Sequence, residues 1–311
     1  MGGMANLTFT LESGRKVGVT TLGDPMAERI VVFCHAAPGS SQFDPDPVVT
    51  EHRDVHIVAF DRPGYGSSDP LPFGTWPSIT RAADDIAEYL HAMARDESGI
   101  GISRPPTIGI VGWSAGGRVA LAFAARHPEL VDRVAIVGTP APNDEVRWID
   151  QPLTELSDHL ATLPPDEAME QLTGMLKPQA DAVLGADQPG DVPLDLLGAS
   201  PADAEALSGP GTRDRLGRML TDAFRQGARG VAADILSYTA RPWGFEFGDV
   251  AAKTLIVNGQ SDALTGNAHA AFYSKALPDA RVEMIPGAGH LVIIPAWERV
   301  LSHVAPGTVK R

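Results

Sequence analysis

Ten residues, Ile108-Gly109-Ile110-Val111-Gly112-Trp113-Ser114-Ala115-Gly116-Gly117, restrict what this chain can become more than any other stretch. An apolar, β-branched run leads into Gly-x-Ser-x-Gly, and a helical pattern from Ser114 to about Arg126 starts without a spacer. Strand, sharp turn and helix in that order force the serine into a strained backbone conformation with its hydroxyl pointing away from the sheet. Gly112 and Gly116 carry no side chain to collide with that turn. The backbone N–H of Ala115, at the first turn of the helix, faces any oxyanion formed by attack from Ser114, where the helix dipole also favours negative charge. A Gly-x-Ser-x-Gly without these flanks fits an ordinary strand-to-helix turn equally well, so the context carries the reading.

The chain is long enough, at 311 residues with 43% hydrophobic, to bury one large α/β core with room for an inserted subdomain. A net charge of -14 opposes nucleic-acid and anionic-membrane partners, which need a basic footprint. No stretch approaches the ~20 apolar residues of a membrane span, and the first residues lack a signal peptide's basic segment and apolar run, so a cytoplasmic location is expected. The single cysteine, Cys34, lies in the apolar run Val31-Val32-Phe33-Cys34 and reads as a small buried hydrophobe. No metal-ligand cluster, dinucleotide fingerprint or phosphate loop stands out, and no cofactor is expected.

Residues 7–12 and 15–21 alternate as a hairpin about Ser13-Gly14, and strands are expected at Ile30 to Cys34 and Val55 to Phe60. A helix over about 78–95 follows, Pro105-Pro106 restarts the chain, and after the serine helix comes a strand from Val131 to Gly138. Such alternation predicts a mostly parallel twisted sheet with helices on both faces. Residues 143–248 break the rhythm. They show helical patterns at Leu153/Leu156/Leu160, Met169/Leu172/Met175/Leu176, Leu216/Leu220/Phe224 and Val231/Ile235/Tyr238, with a Pro-, Gly- and Asp-rich middle at 177–212 read mainly as loop. Strands and helices then return at 254–258, 268–276, 281–285 and 297–304. The expected organisation is therefore a first core part, 1–142, a helical insertion, 143–248, and a second core part, 249–311.

Three further loops follow strands: His35-Ala36-Ala37-Pro38-Gly39, Asp61-Arg62-Pro63-Gly64-Tyr65-Gly66-Ser67-Ser68, and Gly287-Ala288-Gly289-His290. With the serine turn, they make the chain resemble the α/β-hydrolase family over about 30–142 and 250–304. The resemblance implies a lid at 143–248 and a triad in the order Ser114, Asp262, His290. It also implies an oxyanion hole made by the backbone N–H groups of Ala37 and Ala115. In this triad His290 takes the serine proton, because imidazole titrates near neutral pH, and Asp262 fixes its tautomer and stabilises the imidazolium. Asp144 is the competing acid, at a position some members of the family use, though it also reads as a helix cap. Ala36 replaces the family's usual glycine, which requires either an ordinary backbone there or a differently shaped hole.

Trp113 and His35 are candidate pocket residues, with His35 expected to brace its loop instead of moving protons. Asp61 and Arg62 read as a side-chain-held turn with an ion pair. His56 reads as a core residue, and His52, His91, His127, His159, His269 and His303 as solvated. The implied activity is hydrolysis of a small-molecule ester, thioester or lactone, with an apolar or acyl-bearing substrate, through an acyl-enzyme. Carbon–carbon hydrolysis, peptidase and perhydrolase chemistry use the same triad. A non-catalytic small-ligand receptor is the rival from another class.

Overall fold

The computed structural model describes residues 5–96 and 107–310, so the expected restart at Pro105-Pro106 lies outside the described residues. Eight strands form one sheet: β1 (Ala5–Thr10), β2 (Lys16–Gly23), β3 (Ile30–Cys34), β4 (His56–Phe60), β5 (Ile108–Trp113), β6 (Val131–Val137), β7 (Lys253–Gly259) and β8 (Ala280–Ile285). Their spatial order is β1-β2-β4-β3-β5-β6-β7-β8. The first hairpin and its junction with β4 are antiparallel. Every later pairing is parallel.

The period of two along each strand divides its apolar residues between the two faces. Val31 and Phe33 of β3, Val111 and Trp113 of β5, and Leu255 and Val257 of β7 pack into one core. Val32, Cys34, Ile110 and Ile256 pack into the other. Helices α2 (Ile79–Asp96), α3 (Ala115–Arg126) and α9 (Asn267–Ala276) cover the second face, and α10 (Trp297–Val304) covers the first. Fully buried on both sides, the central strands read as continuous apolar runs, as parallel sheets require.

Between β6 and β7 the regular elements are all helical: α4 (Gln151–Thr162), α5 (Pro165–Leu184), a series of single turns, the short α6 (Ala204–Ser208), α7 (Thr212–Ala223) and α8 (Arg229–Thr239). Leu160, Leu172 and Leu236 give α4, α5 and α8 a small core of their own. Two expectations change here. Helix α5 continues through Pro178 to Leu184, and the stretch expected to be mainly loop holds turns at Pro189–Asp191, Leu194–Leu197 and Pro201–Asp203. The sequence pattern also missed α1 (Pro47–Glu51), a single turn whose first N–H groups are capped by the Asp46 carboxylate. No helix among the described residues is long and apolar enough to cross a membrane.

Candidate active site

Ser114 stands at the N-cap of α3 with φ 52° and ψ -120°, the single non-glycine residue with positive φ among those described. Such a conformation costs about 1–3 kcal/mol, which its surroundings must supply. They do so by close packing. A Cβ at Gly112 would collide with the backbone of Gly116 and Gly117, and one at Gly116 with the carbonyls of Cys34 and His35. The Ser114 N–H donates to the Val137 carbonyl at 2.8 Å, tying the turn to the neighbouring strand.

Two strand ends bring the remaining polar groups to this hydroxyl. Asp262 lies in the turn after β7 and His290 in the loop after β8, and the Ser261 N–H joins the two loops by donating to the Ala288 carbonyl at 2.9 Å. The Nε2 atom of His290 lies 3.0 Å from the Ser114 Oγ, and its Nδ1 lies 2.8 Å from an Asp262 carboxylate oxygen. The same oxygen also accepts from the Thr265 hydroxyl, while the other accepts from the N–H groups of Leu264 at 2.8 Å and Thr265 at 3.1 Å. Burial, the largest influence on Asp262, pushes its pKa up. The bond and charge of His290, with the Thr265 hydroxyl and Leu264 N–H, outweigh it and hold the carboxyl at about 2.

Sequence reasoning named all three residues of this hydrogen-bonded chain. Asp144, the competing acid, is exposed at the start of the helical segment. Asp150 and not Asp144 caps the nearby helix α4, through the Leu153 N–H.

Ala115 follows the serine at the first turn of α3, and Ala37 lies in the loop after β3. Neither backbone N–H has an acceptor among the described residues. Ala36 has no positive φ, so alanine fits there in an ordinary conformation. His35 is fully buried: its Nδ1 pairs with the Ala36 carbonyl at 2.7 Å, its Nε2 accepts from the Arg62 N–H at 3.4 Å, and its ring stands edge-on to Tyr65. Burial, the Arg62 charge secondarily, keeps its pKa well below the ordinary histidine value, so it stays neutral. Trp113 is equally buried, with its ring against Phe43 and its indole N–H donating to the His290 carbonyl at 3.2 Å. Both expected pocket residues are thus buried in contacts with other parts of the chain.

Asp61 holds its turn, as expected, by accepting from the N–H groups of Ser41 at 2.7 Å and Ser67 at 2.9 Å. Its neighbour Arg62 pairs with Asp234 of α8 at 2.6 Å and also donates to the carbonyls of His35 at 2.6 Å and Ala36 at 2.8 Å. Asp234 accepts from the Tyr65 hydroxyl as well, at 2.9 Å. The helical segment also touches His290 directly. A Cβ on Gly198 would lie 3.1 Å from the imidazole Cδ2, and the Asp203 carboxylate accepts from the Leu291 N–H at 2.9 Å. Asp203, Asp234 and Gly198 gave no sequence signal because their partners are remote in the chain.

His269 and His303 correct the sequence reading, since both are buried instead of solvated. His269 Nδ1 accepts from the Ala141 N–H at 2.9 Å, and burial chiefly lowers its pKa. Burial pushes the Cys34 thiol up to about 12 and leaves it unreactive, as its apolar run suggested. Among the described residues no group of three His, Cys, Asp or Glu side chains is arranged to hold a metal ion.

A family model for the alpha/beta hydrolase fold matches residues 29–296, and the chain belongs to that family, as an enzyme of hydrolase type. It is 27% identical over 266 residues to a 2-(acetamidomethylene)succinate hydrolase of Mesorhizobium japonicum, covering 85% of this chain and 82% of that one. It is also 27% identical over 241 residues to a pimeloyl-[acyl-carrier protein] methyl ester esterase of Chromobacterium violaceum, covering 76% of each. Among solved structures, a thermophilic esterase from Thermogutta terrifontis, with malate bound, superposes with a TM-score of 0.66 at 19% identity over 95% of both chains.

Proposed function

We propose that this chain hydrolyses a small-molecule carboxylic ester, thioester or lactone through an acyl-enzyme on Ser114. One observation carries the reading: the unbroken order Ser114 Oγ, His290 Nε2, His290 Nδ1, Asp262 carboxylate at hydrogen-bond distances of 3.0 and 2.8 Å. A serine hydroxyl is a weak nucleophile until a base takes its proton, and Nε2 stands where it can. The bond from Nδ1–H to Asp262 fixes the tautomer that leaves Nε2 free to accept, and it stabilises the imidazolium that forms. Attack produces a tetrahedral oxyanion. The free N–H groups of Ala37 and Ala115 receive it, aided by the positive end of α3. His290 then returns the proton to the leaving group, and a water activated by the same imidazole releases the acid.

The division of labour follows. Residues 1–142 and 249–311 supply the reacting groups, and 143–248 acts as a lid. Ser114 is 9% exposed, so substrate enters when the helical cover opens. A methyl ester esterase stands among the similar proteins, which supports ester chemistry for this chain. A cytoplasmic small-molecule enzyme is the corresponding cellular reading.

The test is turnover of a panel of aryl and methyl esters graded in acyl length. Wild type should hydrolyse at least the short members, with a burst of alcohol ahead of steady state. Loss of all turnover in folded Ser114→Ala is expected. Unchanged turnover in that variant would remove the proposal.

A further inference from the structure

Two arginines are buried beside the serine turn, and they are satisfied very differently. Arg62 uses its Nε and Nη2 edge to grip both oxygens of Asp234, at 2.9 and 2.6 Å. Arg118, one helical turn after Ser114 on α3, is 2% exposed, and the same two nitrogens, Nε and Nη2, have no acceptor among the described residues. Its guanidinium carbon lies 3.9 Å from the ring centre of Tyr238, 5.4 Å from that of Trp148 and 5.3 Å from that of Trp243. Aromatic rings stabilise a cation through its flat faces and leave its N–H edge without an acceptor. A guanidinium cannot shed its proton to escape the cost of burial. The edge left over is the one that matches a carboxylate with two parallel bonds.

Arg118 lines a cavity of about 20 Å³ with Ala115, Val119 and Tyr238. By a measure on which one water needs ~10–15 Å³, that is room for a small polar head and not for an acyl chain. Three arginines, Arg62, Arg81 and Arg118, border it against one carboxylate, Asp234, in a chain whose net charge is -14. Arg62 and Tyr65 already occupy that carboxylate. Arg81 is exposed to solvent, so Arg118 is the buried cation of this cavity without a carboxylate partner, and the cavity wall includes Ala115, the residue next to the nucleophile.

We propose that Arg118 holds a free carboxylate of the substrate, so that the acyl compound opened at Ser114 carries a second, ionised acid group. The proposal rests on the hydrolase reading of Ser114. Four residues of helix separate the backbone positions of Ser114 and Arg118 by about 6 Å, the scale of a succinyl to adipyl spacer. The half-ester of a short dicarboxylic acid fits that span: the ester carbonyl meets Ser114 and the distal carboxylate meets the Nε–Nη2 edge. Hydrolysis releases the alcohol and the diacid, and the distal carboxylate is unchanged throughout.

The experiment compares aryl half-esters of succinate, glutarate and adipate with neutral aryl esters of equal chain length. Wild type should favour at least one half-ester by about tenfold or more in kcat/KM, mainly through KM. Arg118→Gln should collapse that ratio towards one. Arg118→Lys should fall between, because it keeps the charge and loses the fork. A reading on the wild-type protein alone guards against a variant that does not fold: the free diacid should slow phosphonylation of Ser114 by a fluorophosphonate, and its diamide should not. Equal use of the two ester classes, no difference between diacid and diamide, or a ratio unchanged in folded Arg118→Gln overturns the proposal and leaves the serine chemistry standing. Wild type that hydrolyses neither ester and takes no fluorophosphonate overturns the serine reading, and this proposal falls with it.

Discussion

The loops at the ends of β5, β7 and β8 and the helices between β6 and β7 meet around one imidazole, but they bring different things to it. The strand-end loops supply Ser114, Asp262 and His290, and each is closely held: a strained turn packed against glycines, a carboxylate held by Leu264 and Thr265, a ring held between serine and aspartate. The helices supply no member of that chain. They press Gly198 against His290, anchor its loop through Asp203, and reach the Ala37 loop through Asp234 and Arg62. The difference separates reactivity from fit. Groups that must hold angle and distance to a few tenths of an ångström sit at the strand ends, and the segment with its own small core braces them from outside.

Substitutions graded by region sharpen this contrast. The largest effect belongs to the sheet: Ser114→Ala should lower ester turnover by about a millionfold while urea unfolding stays close to wild type. Asp262→Asn should follow, with a loss of up to about four orders of magnitude from the wrong imidazole tautomer. Asp144→Asn, measured beside it, should stay within about twofold of wild type, because its side chain is exposed. A reversal of those two results would move the acid to Asp144 and break the assignment.

Asp262 also sets an acid limb of stability. Its carboxyl stands at about 2 in the fold against an ordinary 3.8, so the folded state binds its proton less readily than the unfolded chain. The stabilisation, roughly 2 kcal/mol, is complete above the unfolded value and is lost as pH falls through the folded one. Unfolding free energies of wild type and Asp262→Asn should therefore converge as pH is lowered from about 6 towards 2. A constant gap would contradict the depressed carboxyl.

The helical segment should give smaller effects. Asp203→Ala removes the acceptor of the buried Leu291 N–H and should cost about 1–3 kcal/mol, with turnover falling because the His290 loop loses its anchor. Gly198→Ala should cost about 1–2 kcal/mol, since its φ of +72° suits glycine and a Cβ would crowd both Leu264 and His290. Met175, expected among the apolar positions of this segment, is 56% exposed, and Met175→Gln should change neither stability nor acyl-length preference measurably. A loss of turnover at Met175 as large as that of Asp262→Asn would erase the distinction between the two regions.

The sheet and its reactive groups were legible because their signals are local. A β-branched run, a glycine-flanked serine and polar residues just past strand ends need only neighbouring residues to be recognised. The helices at 143–248 were legible as apolar periodicity. Their long-range contacts were not, since nothing near Asp203 or Asp234 announces a partner 88 or 172 residues away. His269 was misread for the same reason: its partner, the Ala141 N–H, lies 128 residues distant. Arg118 did leave a trace, as the one charge in an otherwise apolar or small run from Trp113 to Ala125, four residues after the serine. Periodicity treats such a residue as a break in a buried face. Only the structure shows that its edge lacks an acceptor.

Covalent labelling tests Ser114 as the nucleophile directly. Wild type treated with a fluorophosphonate should gain a single phosphonyl group, and peptide mapping should place it on Ser114. Folded Ser114→Ala should gain none. A label on any other residue of the wild type, or an undiminished label on the variant, would show that Ser114 is not the nucleophile.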